Sequence, residues 1–229
     1  MYAIVLDFEA TCWDSHEYIH TPLHKTDHKK ARRCEIIEFP MMVMDCDTLQ
    51  VPGEEDVFHE YVRPVKDPRL SDFCTQLTGI TQQTVDGVDP FPDVFKRAQA
   101  FLGQRSLFPD NSVFVTVGNW DLEQMLPLQV ELSVAPQKRI PHLFRRWVNI
   151  KKLFVDCRAE LPLIHTKKER RSGSLAGMLR SAGLVFDGRP HSGIDDTRNT
   201  CTLLAWILRH SGKARAMMAE SVKHHKQLA

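Results

Sequence analysis

Apolar and polar positions along the chain follow two different periods, and the change from one to the other marks out its elements. Tyr2-Ala3-Ile4-Val5-Leu6 opens a short apolar run that predicts a buried strand over residues 2–8. Residues 35–46 predict a second strand, from Ile36-Ile37-Glu38-Phe39 to Val43-Met44, broken by Pro40. A third runs from Val57 to Arg63; two-residue alternation and a turn centred on Gly53 join it to the second as an antiparallel hairpin. Val113 to Val117, ended by Gly118, is another strong strand. Elsewhere the period is helical. Ser71 precedes an apolar pattern through Leu77, and Asp93 can start a helix carrying Val94, Phe95, Ala98, Phe101 and Leu102. Asp121 to Leu132 reads as helix, with Pro127 set to kink or end it. Ser174 to Ala182 is a helix closed by Gly183. Asp195 to His210 has an acidic start, apolar Leu203, Leu204, Ile207 and Leu208, a basic end and then Gly212. The fold class expected is α/β, a mixed central β-sheet with helices on both faces.

Composition adds boundaries. With 229 residues and 42% hydrophobic content, the chain can form one large domain, expected over residues 1–212. Residues 13–34 are polar and rich in His and Lys, a basic surface loop inserted in that domain, and residues 213–229 read as a polar tail. Net charge is only +1, but it is unevenly spread. Residues 1–135 hold 11 Lys and Arg against 22 Asp and Glu; residues 136–229 hold 19 against 7. An acidic region for cations beside a basic face for a polyanion is one reading, and interleaved halves that cancel is another. Six cysteines with no CxxC spacing point to reduced thiols in an intracellular protein, cytoplasmic or else nuclear or nucleolar. The N-terminus lacks the pattern of a signal peptide and no run nears the ~20 apolar residues of a membrane span, so no membrane partner is expected.

Four acids and a histidine carry the candidate chemistry. Asp7 and Glu9 are two apart, so a strand puts both carboxylates on one side and Phe8 on the other. A carboxylate buried in an apolar strand needs a positive partner, and a hard cation such as Mg²⁺ is a natural one. The strand could equally end at Leu6 and leave both acids in solvent. Asp121 stands at a strand-to-helix junction and Asp196 opens the last helix, where acids are also common as caps. His191 lies in the loop Gly188-Arg189-Pro190-His191-Ser192-Gly193, where a lone histidine is usually plain surface. The joint spacing is more telling than any one residue: three separate segments each deliver an acid toward one crevice.

Asp7-Phe8-Glu9-Ala10-Thr11-Cys12, the pair Trp120-Asp121, and His191-Ser192-Gly193-Ile194-Asp195-Asp196 resemble the three motifs of the DEDDh 3′–5′ exonucleases, of the ribonuclease H-like superfamily. Glu35-Ile36-Ile37-Glu38-Phe39-Pro40, Leu77-Thr78-Gly79-Ile80-Thr81, Trp147-Val148-Asn149-Ile150-Lys151 and Asp187-Gly188-Arg189-Pro190-His191 are similar to the branch of the histone-mRNA 3′-exonuclease and the enhanced-RNA-interference exoribonucleases. The likeness spans roughly residues 2–210. It implies a ribonuclease H-like fold and two divalent ions, Mg²⁺ or Mn²⁺, held by Asp7, Glu9, Asp121 and Asp196, with Asp195 left free to cap the helix. It also implies a substrate site formed by Phe8, Ala10, Thr11, Phe73, Leu77, Thr78, Trp120 and His191, with Phe73 and Trp120 sandwiching the terminal base. Stacking on aromatic faces tolerates any base, which suits successive cleavage.

The expected reaction is hydrolysis of RNA from a free 3′ end, on a single-stranded overhang or a structured terminus, to nucleoside 5′-monophosphates. Two metals activate water and stabilise the leaving oxygen, and His191 serves as general base, since imidazole titrates near neutral pH. No nucleotide cofactor is expected. The segments Lys138–Lys152 and Lys167–Arg171 are candidates for the RNA backbone track, with Arg145, Arg146, Lys151 and Lys152 foremost. A DNA exonuclease shares the chemistry; a catalytically silent RNA-binding scaffold and a phosphatase for small esters are the competing classes.

Overall fold

The computed structural model describes residues 1–14, 34–50, 52–133, 140–164 and 173–223. Most of the loop expected at 13–34, the 167–171 basic stretch and residues 138–139 fall outside the described residues.

Six strands make one mixed sheet among the described residues: β1 (Tyr2–Leu6), β2 (Glu9–Ala10), β3 (Ile36–Asp45), β4 (Val57–Tyr61), β5 (Ser112–Thr116) and β6 (Trp147–Asn149). β1 pairs antiparallel with β3 and parallel with β5; β3 also pairs antiparallel with β4, and β5 parallel with β6. The helices are α1 (Asp72–Thr78), α2 (Gln82–Asp86), α3 (Phe91–Gln104), α4 (Leu126–Ser133), α5 (Ile150–Asp156), α6 (Leu175–Ser181), α7 (Gly193–His210) and α8 (Gly212–Lys223).

Strand alternation sorts the core into two layers. Ala3, Val5, Met42, Met44, Val113 and Val115 face α5, α6, α7 and α8, where Leu203, Leu204, Ile207 and Leu208 of α7 are buried. Ile4, Leu6, Phe8, Met41, Val43 and Phe114 face α3 and α4 instead. Phe39 is the hub of that second layer, with ring contacts to Phe8, Phe58, Phe91 and Phe95. Each fully buried side chain of this size contributes ~1.5–3 kcal/mol, so both faces of the sheet hold helices firmly. Because odd residues of β1 face α7, Asp7 and Glu9 continue toward the same helix.

Several expectations need correction. Pro40 does not break β3, which runs through it paired with His59. The pairing of β3 with β1 ends at Leu6–Met41 and resumes with β2 at Glu9–Glu38, so it is the neighbouring ladder that lapses beside the proline's missing N–H. The connection is not centred on Gly53: a turn over residues 46–48 follows β3 directly, Leu49 takes φ 55°, and the Gly53 carbonyl accepts from the Asp56 N–H at 3.0 Å at the start of a short 3₁₀ turn. Helix α3 starts at Phe91 rather than Asp93, with Pro92 in its first turn, where no N–H is required. Pro127 does not end its helix: it is the second residue of α4, after a wide π-helical turn over Trp120–Met125. The polar tail is also wrong over Gly212–Lys223, which forms α8 and buries Ala214, Met218 and Val222, a spacing of four that covers one helix face.

If α8 belongs to the core, Met218→Ala should cost about 2–5 kcal/mol in urea unfolding. A change under ~0.5 kcal/mol would return this segment to the status of a tail.

Candidate active site

The site forms where three chain segments end together. Extending the β1–β3 register past Leu6 sets Asp7 opposite Pro40, at the lapse in the ladder. β5 stops pairing with β1 at Val5–Val115, so the Phe8 N–H is left over, and it donates to Asp121 Oδ1 at 2.9 Å. That bond fixes the first segment to the second. Asp121 itself lies in the wide turn after β5: Gly118 takes φ 114°, and the Leu126 N–H reaches back to the Asp121 carbonyl. Asp121 as a whole is 2% exposed.

The third segment is the start of α7. His191 adopts φ 64°, a left-handed conformation uncommon outside glycine, and such strain concentrates at functional sites. Its N–H donates to Asp196 Oδ2 at 2.8 Å. Gly193 brings the helix against the sheet: a Cβ there would lie 2.8 Å from the Asp7 carbonyl and 3.0 Å from Glu38 Oε2. Asp195 does not cap α7. It holds the preceding loop, accepting from the Arg189 N–H at 3.0 Å and pairing with Arg198 at 3.0 Å. The helix is capped by Glu38 of β3, which accepts from Gly193 N–H at 2.9 Å and Ile194 N–H at 3.1 Å. Sequence reading missed Glu38. The available signal was a single acid in a strand whose other residues from Ile36 to Met44 are all buried and apolar.

Ligand atoms of Glu9, His191 and Asp196 lie within 4.8 Å of one another, spacing that suits a cation held between them. Asp7 feels the charges of Glu9 and Asp196, and Asp121 acts in turn on Glu9. Burial first, then Asp121, Asp196, Glu9 and Glu38, lift the Asp7 carboxyl well above its ordinary range. Burial, then Glu38, Asp196 and Asp121, push Glu9 up to about 9. Asp121 and Asp196 rise to about 6, again mainly by burial; the Phe8 N–H and Lys151 oppose the rise at Asp121, and His191 opposes it at Asp196. Every carboxylate of the set is short of positive charge, as in a site built for metal ions.

The expected substrate residues divide. Trp120 is 42% exposed and Phe73 and Leu77 are half-buried, so all three offer apolar surface. The Phe8 ring is core, and its N–H is already used. Ala10 and Thr11 are buried; the Thr11 hydroxyl accepts from Glu35 N–H and that of Thr78 donates to Cys74 O. As side chains, therefore, Phe8, Ala10, Thr11 and Thr78 support the site rather than line it. Arg189 ties α1 to the histidine loop by donating to the carbonyls of Gln76 and Leu77. Of the basic residues, Lys151 is half-buried and its charge reaches Asp121. Lys152 pairs with Asp156 at 2.7 Å, and Arg145 is exposed while donating to Ile140 O. Arg146 is half-buried, with Nη1 unmatched among the described residues.

Residues 4–204 match the exonuclease family profile. The chain is 34% identical over 217 residues to human 3′-5′ exoribonuclease 1, covering 93% of this chain and 54% of that protein. It is 36% identical over 205 residues to human ERI1 exoribonuclease 3, covering 89% and 52%. It thus spans about half the length of these curated relatives. Among solved structures, the nuclease domain of 3′hExo, a DEDDh family member bound to rAMP, superposes with a TM-score of 0.74 at 34% identity, covering 91% of this chain and 92% of that one.

The carboxylate shifts fix the sign of a pH effect. Unfolded carboxyls lose their protons near pH ~4, whereas Asp121 and Asp196 keep theirs to about 6 and Glu9 to about 9. Between those values the metal-free folded protein holds more protons than the unfolded chain, so its stability falls as pH rises. Metal-free thermal unfolding should come at lower temperature at pH 8 than at pH 5, and Glu9→Gln should flatten the difference. Added divalent ions should raise the midpoint more at pH 8. A pH-independent midpoint with no metal response would contradict this electrostatic account.

Proposed function

The chain belongs to the exonuclease family, and on that premise we propose that it is a 3′–5′ exoribonuclease that releases nucleoside 5′-monophosphates from RNA ends. One observation carries the proposal: ligand atoms of Glu9, His191 and Asp196, from the sheet, a loop and a helix, gather within 4.8 Å of one another, beside the half-buried Asp7 and the buried Asp121. The family implies divalent metal ions, and the donor set fits them, being carboxylate oxygens with too little positive charge of their own. The finer proposal is two Mg²⁺ ions, with Mn²⁺ as substitute, held by Asp7, Glu9, Asp121 and Asp196. When bound, such ions neutralise the phosphodiester and make water a better nucleophile.

The chain's own residues do the rest. His191 takes the proton of the attacking water; its exposed position and left-handed backbone aim the ring from the rim of the pocket. The His191 N–H on Asp196 ties the base to a carboxylate of the same site. Trp120 and Phe73 offer faces on which the terminal base can stack, and Leu77 adds apolar contact. An RNA substrate is favoured by the likeness to a nuclease domain solved with a ribonucleotide. A single exonuclease unit from β1 through α8 is part of the proposal. Six free cysteines and the lack, among described residues, of a helix able to cross a membrane are compatible with an intracellular setting.

Asp7→Ala and Asp196→Ala should each abolish release of mononucleotides from a 5′-labelled RNA while leaving circular dichroism unchanged. His191→Ala should lower the rate by roughly 10²–10⁴; a loss under tenfold would assign the proton to another group. Matched RNA and DNA oligonucleotides provide the substrate test, and faster DNA cleavage would turn the proposal toward a DNA exonuclease. For the basic track, charge reversal at Arg145 and Arg146 should weaken RNA binding and flatten its salt dependence. Unchanged affinity would remove both from the track.

A further inference from the structure

Two buried glutamates, Glu35 just before β3 and Glu38 within it, do different work. Glu35, 2% exposed, accepts from the N–H groups of Val65, Lys66 and Asp67 and so anchors a loop. Glu38, 1% exposed, faces the acid pocket. It is the direct cross-strand partner of Glu9, an arrangement that sets two like charges side by side. Such a pair persists only if something positive offsets it. At Glu38 three groups do: Gly193 N–H at 2.9 Å, Ile194 N–H at 3.1 Å, and His59 Nε2 at 2.8 Å. Two of these are the first N–H groups of α7, the positive end of an eighteen-residue helix.

We propose that Glu38 is the positioning residue of this site, fixing the first turn of α7 so that His191 and Asp196 meet Glu9. The inference rests on the nuclease reading for its activity arm only. Its grounds are geometric. Ser192, at the helix N-cap, makes no side-chain capping bond, so this carboxylate from another element takes the capping place. Gly193 has no room for a side chain because Glu38 Oε2 and the Asp7 carbonyl occupy that space. His191 and Asp196 stand two residues before and three after Gly193, and are bonded to each other, so a shift of this turn moves both. His59, on β4, bonds Glu38 Oε1, the same oxygen that accepts from the Ile194 N–H. Glu38 itself is not asked to touch substrate or metal.

The test uses the full chain with two substitutions, Glu38→Gln, which keeps length and removes charge, and Glu38→Asp, which keeps charge and shortens reach. Three readouts are compared: Mn²⁺ affinity by calorimetry, kcat and KM on an oligoribonucleotide, and amide hydrogen exchange at Gly193 and Ile194. Both variants should exchange those two amides faster, bind Mn²⁺ about 10–100-fold more weakly, and lose kcat by a similar factor with KM little changed. Glu35→Gln should lower thermal stability without moving Mn²⁺ affinity. Wild-type Mn²⁺ affinity and exchange in both Glu38 variants would overturn the proposal, as would losses that follow only the unfolded fraction. Should the wild-type chain bind Mn²⁺ yet leave RNA intact, the nuclease reading fails, while affinity and exchange still decide the role of Glu38.

Discussion

Asp7, Glu9, Asp121 and Asp196 repel one another across a small, partly dry space, and the rest of the fold is arranged to keep them there. Left free, each would turn to water. The Phe8 N–H holds Asp121, the His191 N–H holds Asp196, and the sheet backbone holds Asp7 and Glu9. Proton affinity is raised at all four carboxylates, mainly by burial; at Asp7 and Glu9 the neighbouring charges of Asp121 and Asp196 add to the rise. Divalent ions convert that cost into binding energy, because the same desolvation that disfavours a bare carboxylate strengthens its attraction to a cation.

Two cores make this possible. Residues of one parity in the central strands seat α5, α6, α7 and α8; the other parity seats α3 and α4 around the phenylalanine cluster. With both faces covered, the pocket can form only at the strand ends, where the ladder lapses beside Pro40 and β5 passes into its wide turn. The proline thus shapes the site through an absent N–H, and the glycine at 193 through an absent side chain.

Much of this was legible in the sequence, for identifiable reasons. Period-two alternation foretold that Asp7 and Glu9 share a side and Phe8 takes the other, because parity survives even where the strand lapses. Helix α7 announced itself by its acidic start and leucine spacing. What stayed hidden depends on contacts distant along the chain. Glu38 meets helix amides 155 and 156 positions away, and no local pattern announces such a cap. β6 has three residues and α5 follows it directly inside a basic stretch, too short and too charged for periodicity to register. The helix at Gly212–Lys223 was obscured by its polar outer face, although Ala214, Met218 and Val222 kept helical spacing. The left-handed backbone of His191 accompanies its N–H bond to Asp196 five residues on, a local geometry that residue type and hydrophobic period do not announce.

The central claim is that these carboxylates form one divalent-metal pocket. Anomalous diffraction from crystals soaked in Mn²⁺ with a nucleoside 5′-monophosphate tests it most directly. The account predicts two Mn²⁺ peaks roughly 3.5–4 Å apart, coordinated by Asp7, Glu9, Asp121 and Asp196, with the His191 ring close to the phosphate. Mn²⁺ bound elsewhere on the surface while these four carboxylates stay unliganded would contradict it.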